Sequence, residues 1–173
     1  MTLSRSSLVL IWRILCAVAL FPAQSLAAGP DWQTYENHEH GFTVDYPMGL
    51  FNRMSSAEGG DGTTFTNTSG DVSLSLYGFN NGDELPMRTV RDIIVENYAD
   101  RDITYERLRK GWFVLSGYET INGVPSIFYH RLAKNRDGNR YSVMEFTYPV
   151  GDREMIDPLL KRMSRSLTSP RDE

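Results

Sequence analysis

Cysteine is almost missing from this chain: there is one in 173 residues, Cys16, inside an N-terminal stretch that reads as a removable leader. That excludes a disulfide framework, thiolate metal sites and a cysteine nucleophile. Long apolar runs are also lacking. The leader's run, Ile14 to Phe21, is about eight residues, against the roughly 20 that a transmembrane helix needs. Basic excess is absent, with 18 Lys and Arg against 22 Asp and Glu, so the basic stripe of a nucleic-acid binder is not expected. Gly-x-Ser-x-Gly, zinc-type spacings and a phosphate-cradling glycine loop followed by lysine do not occur. No cofactor is expected.

What is present begins with a secretory signal over residues 1–27. Arg5 and Arg13 form its positive region, Pro22 ends its apolar run, and Ser25-Leu26-Ala27 supplies small residues for cleavage after Ala27. Cys16 lacks the preceding small residues of a lipidation site and leaves with the leader. Removing Arg5 and Arg13 moves the formal charge from −4 to −6. About 146 residues remain, enough for one domain with a real core held by packing alone.

Along that chain Phe42, Val44 and Tyr46 alternate up to Pro47 as a short first strand, and Met48 to Met54 reads as a connector. Thr63 to Asn67 and Val72 to Asn80 form a hairpin. Pro86 starts a helix whose apolar stripe is Met87, Val90, Ile94 and Tyr98. Ile103 to Arg109 is a strand. Asp157-Pro158 reads as cap and first residue of a last helix, with Ile156, Leu160, Met163 and Leu167 buried. Thr168 onward is a polar tail expected to fray.

Between the helices lies a three-strand meander, Trp112 to Pro149. Asn122-Gly123 suits a type I′ turn, which pairs Ile121 with Val124, Leu115 with His130 and Phe113 with Leu132. For the second turn, a three-residue loop with Gly138 left-handed gives the more uniformly apolar face: Phe113, Leu115, Phe128, Leu132, Met144, Phe146 and Tyr148. That register sets His130 opposite Met144, and a two-residue loop would shift every partner to the other face. The second face then holds Ser116, Tyr129, Arg131 and Glu145 as a polar cluster among Trp112, Val114, Tyr118 and Ile127.

That cluster is the candidate ligand site: Arg131 can recognise a carboxylate or hydroxylated ligand. The plainer alternative is an ion pair satisfying itself across the strands. His38 and His40 are weak metal candidates, short of further ligands, and a solvated segment before a strand explains them equally. Asp61, Asp71 and Asp83 beside glycines fit turns rather than a calcium loop. His130 and Ser116 point to opposite faces, so they make no catalytic pair. Glu145 beside Arg131 is expected to stay ionised, and no catalytic residue is assigned.

Tyr35 with Gly41-Phe42-Thr43-Val44-Asp45-Tyr46-Pro47, and Met163-Ser164-Arg165-Ser166-Leu167 at the end, resemble the PsbP-like fold. The extrinsic photosystem II protein and the Ran-GTPase release factor family share that fold. Gly60-Asp61-Gly62-Thr63-Thr64-Phe65, Tyr77-Gly78-Phe79-Asn80-Asn81 and Trp112 to Tyr118 are similar to a group of uncharacterised exported bacterial proteins. The resemblance implies an α+β domain over residues 28–168, with an antiparallel sheet covered by helices on both faces; the polar composition of 169–173 reads as a flexible tail. It also implies an accessory or binding role rather than an activity. The expected function is an exported, periplasmic, non-enzymatic domain that binds a protein partner or small ligand in the cell envelope, with no membrane span once the signal is removed. The alternative is a small periplasmic hydrolase or ligand-binding protein using the polar cluster.

Overall fold

The computed structural model describes residues 29–172. The expected leader and its cleavage point lie outside them. Seven antiparallel strands form the main sheet. In chain order they are β3 (Arg53–Ser56), β4 (Gly62–Thr66), β5 (Ser73–Asn80), β6 (Asp102–Leu108), β7 (Trp112–Ile121), β8 (Val124–Lys134) and β9 (Arg140–Pro149). Across the sheet they run β3-β4-β5-β9-β8-β7-β6. A separate hairpin of β1 (Trp32–Asn37) and β2 (Phe42–Pro47) precedes them. Helix α1 (Met87–Asn97) follows β5, and α2 (Arg153–Ser166) follows β9.

This α+β sandwich has the expected architecture, and its helix stripes pack where their spacing sends them. Val90 of α1, with Met87, Ile94 and Tyr98 beside it, packs on Phe113, Leu115, Phe128, Leu132, Tyr141 and Val143. On the other face Ile156 and Met163 of α2, with Leu167 just past its end, join Phe42 and Val44 of the hairpin over Leu74, Leu76, Met144 and Phe146. Burying each large apolar side chain contributes about 1.5–3 kcal/mol, so the sheet is stabilised from both sides. Asp45 ties the hairpin to α2: its backbone N–H donates to Ser166 Oγ at 2.8 Å, and its carboxylate lies 3.2 Å from Arg162. Beyond α2, Thr168 N–H donates to Thr43 O and Arg171 pairs with Glu36.

Several local expectations are corrected. Trp32–Asn37 is itself a strand, paired with Phe42–Pro47. The expected connector, Met48 to Met54, ends inside a strand: Arg53–Ser56 forms the sheet's edge. All four of its residues are exposed, so no alternation marks it. Helix α2 starts a turn before Asp157, after a 3₁₀ turn over Val150–Asp152. The Asp157 carboxylate accepts from the Tyr148 hydroxyl at 2.7 Å and from Arg153 at 3.1 Å instead of capping the helix. Pro158 stands inside the helix on its exposed side.

The register of the meander matters most. Across β7 and β8 the pairs are as the Asn-Gly turn dictates, with Leu115 opposite His130 and Gly117 opposite Phe128. Asn122 and Gly123 have φ of 50° and 82°, the positive values a type I′ turn needs. Across β8 and β9 the three-residue-loop register is overturned. His130 opposes Glu145, Leu132 opposes Val143 and Phe128 opposes Thr147. This is the register of the shorter loop, and the one-residue difference sends every β9 side chain to the other face. Asn135 holds the turn, its side-chain oxygen accepting from the N–H groups of Gly138 (2.9 Å) and Arg140 (3.2 Å).

Candidate functional site

The register divides the expected four-residue cluster. Ser116, Tyr129 and Arg131 share one face, while Glu145 points to the other, beneath α1. The first three line a groove of about 590 Å³ between α2 and the strands β6, β7 and β8. Its floor is built in cross-strand rows. Arg107, Val114 and Arg131 stand side by side, then Tyr105, Ser116 and Tyr129, then Tyr118, Ile127 and Tyr148. Gly117 lets β6 approach, because a Cβ there would sit 1.8 Å from the Asp102 carbonyl oxygen.

Helix α2 forms the wall and contributes Ser164, a residue the sequence reading did not single out. Ser164 is 7 % exposed. Its Oγ accepts from Arg131 Nη1 at 3.0 Å and lies 2.7 Å from the Tyr129 hydroxyl. Its position four residues after Leu160 and eight after Ile156 puts it on the helix's inner face, a signal present in the sequence. Burial raises the Tyr129 phenol's pKa, with Ser164 and the Arg131 charge opposing. Ser116 Oγ donates to the Phe128 carbonyl at 2.8 Å, so this hydroxyl is committed to the sheet.

The groove's charge contrasts with the chain's. Arg107, Arg131, Arg153, Lys161 and Arg165 line it against one acid, Asp157, in a protein of formal charge −4. Arg153 pairs with Asp157. Among the described residues no carboxylate lies within 4 Å of Arg107, Arg131, Lys161 or Arg165. Arg131 Nε is buried without a hydrogen-bond partner. The Arg131 and Arg107 guanidinium carbons lie 5.2 and 5.6 Å from the Trp112 ring centroid, within cation–π range.

On the opposite face Glu145 has different company. Its Oε1 accepts from the hydroxyls of Tyr98 (2.5 Å) and Tyr77 (3.2 Å) and lies 2.9 Å from His130 Nδ1. Burial, the largest influence, pushes this carboxyl up. Hydrogen bonds from His130 and Tyr98, with the charges of His130 and Arg101, outweigh it and hold Glu145 down at about 2. Burial, then the Glu145 charge, drive both phenols well above their ordinary range. His130 is 1 % exposed and stacks on Phe113, with 5.6 Å between ring centroids. Its Nε2 is buried without a partner.

His38 and His40 part company. His38 is exposed beside Glu36, whereas His40 is buried over Gly78, its Nε2 lying 3.3 Å from Asp61. Among the described residues no three His, Cys, Asp or Glu side chains converge as a metal site would need. No helix among them is long and apolar enough to cross a membrane.

No family model matches the chain, and no curated protein matches it in sequence. Solved structures do match. The Ran-binding protein Mog1p of Saccharomyces cerevisiae aligns over 80 % of this chain and 95 % of its own, with TM-score 0.56 and 11 % identity. Cyanobacterial PsbP (CyanoP) from Synechocystis sp. PCC 6803 aligns over 87 % and 98 %, with TM-score 0.51 and 12 % identity. A Pseudomonas aeruginosa protein of unknown function aligns over 82 % and 99 %, with TM-score 0.52 and 12 % identity. The fold is therefore PsbP/Mog1-like, and at these identities the likeness concerns the fold alone.

Proposed function

We propose that this chain is an exported, periplasmic or secreted, non-enzymatic accessory domain, and that the groove between α2 and β6–β8 is its binding surface for an anionic ligand. One observation carries the reading. Four cations, Arg107, Arg131, Lys161 and Arg165, stand in the groove with no carboxylate of the described residues within 4 Å, and one of them, Arg131, is half-buried with an unpartnered Nε. Gathering like charges around a half-buried guanidinium is unfavourable unless something anionic offsets it. The volume falls in the range of small-molecule sites, about 300–1,000 Å³. The leader-like composition of residues 1–27 supports export.

Two observations weigh against the hydrolase alternative. Ser116 spends its hydroxyl on a backbone carbonyl. His130, the histidine nearest a carboxylate, is sealed under α1 on the other face.

The test is an NMR titration of the mature domain at low salt with inorganic phosphate and citrate. Shifts are expected at Tyr105 to Arg107, Trp112 to Ser116, Tyr129 to Arg131 and Leu160 to Arg165. They should disappear in Arg131→Met, whose stability cost should be about 1 kcal/mol for one lost hydrogen bond. No response to either anion at millimolar concentration, or a response indifferent to Arg131→Met, would sink the proposal.

A further inference from the structure

The groove is graded along its length, and the grading narrows what fits it. Its first row sets Arg107 and Arg131 on either side of Val114, beside Trp112. At that end Ser164 of α2 holds Arg131, with Arg165 next to it in the chain, and Lys161, three residues before Ser164, lines the same groove. The third row, Tyr118, Ile127 and Tyr148, carries no charge. Facing it, α2 presents Leu160 and the Arg153–Asp157 pair, whose charges cancel. From the Val114–Arg131 pair to the Tyr118–Ile127 pair is four residues, about 13 Å at roughly 3.3 Å per residue.

Resting on the reading of the groove as an anion site, we infer that its ligand is a small amphiphile. A compact anionic head, phosphate or carboxylate, sits among Arg107, Arg131, Lys161 and Arg165, and an apolar body runs toward Tyr118 and Ile127. A guanidinium fork and several unpaired cations suit one concentrated charge. A ligand with charges spaced along it, such as an acidic peptide, would set its second charge against Asp157 and the tyrosines. An apolar body instead covers the half-exposed Tyr118 and the partly exposed Leu160, above the already buried Ile127. Head and body together spanning about 13 Å correspond to a compact head on a chain of roughly eight carbons, or on a ring with a short spacer.

Calorimetry with three probes at fixed ionic strength tests this: inorganic phosphate, octyl phosphate below its micelle concentration, and hexaglutamate. Octyl phosphate should bind at least tenfold tighter than inorganic phosphate. Arg131→Met should abolish both. Tyr118→Ser, a change at an exposed site, should cut the octyl advantage at least threefold and leave inorganic phosphate unaffected. Equal affinity for the two phosphates, or hexaglutamate binding tightest, overturns the amphiphile while leaving the anion groove intact. No Arg131-dependent binding of any probe overturns both. If octyl phosphate behaves as expected, competition by phosphatidic-acid vesicles places the natural ligand in a lipid, and indifference to them places it among soluble compounds.

Discussion

Replacing Glu145 by Gln probes the register of the sheet through its electrostatics. Glu145 ionises at about 2 in the folded protein against an ordinary 4.5, a difference worth roughly 3 kcal/mol at 1.36 kcal/mol per pH unit. Its side chain is 31 % exposed, and solvent screening reduces the figure to roughly 2 kcal/mol. Because the folded value is depressed, the stabilisation is fully present above about pH 4.5. It is lost as pH falls toward 2, where the folded and unfolded states bind the same proton. Gln keeps an oxygen for Tyr98 and Tyr77 but loses the charge that His130 and Arg101 stabilise. Urea denaturation of both proteins from pH 7 down to pH 3 isolates Glu145, since other titrating groups cancel in the difference. The gap should be roughly 2 kcal/mol at pH 7 and shrink by roughly half at pH 3. Anion binding in the groove should not change. A gap that is flat with pH, or a variant as stable as the parent at neutral pH, would refute the pairing of Glu145 with His130.

Gly117→Ala should destabilise by about 1–3 kcal/mol, because its methyl meets the Asp102 carbonyl. Hydrogen exchange should show β6 opening first. Gly123→Ala should cost about 1–2 kcal/mol in denaturation, since Gly123 sits at φ 82°. The two N-terminal histidines should differ sharply. His38→Ala should leave the melting temperature unchanged, whereas His40→Ala should lower it by several degrees by emptying the space over Gly78.

Some of this architecture is local and was open to reading from the chain. The Asn122-Gly123 turn forces positive φ on two residues, so it set the β7–β8 register correctly. Three-to-four-residue spacing in Met87 to Tyr98 and Ile156 to Leu167 placed both helix faces. The resemblance of the chain's ends and meander pointed to the right fold. The β8–β9 register was another matter. Apolar alternation arbitrates register only where one face is wet, and here α1 covers one face while α2 and the β1–β2 hairpin cover the other. Val143 and Met144 are equally buried on opposite sides, so either register looked well packed. What could have decided it is the need of buried polar groups for partners: only one register gives His130 a carboxylate. The groove required tertiary structure outright. Arg107, Arg131, Ser164 and Arg165 come from strands and a helix far apart in the chain, and only the docking of α2 beside β8 turns them into one site.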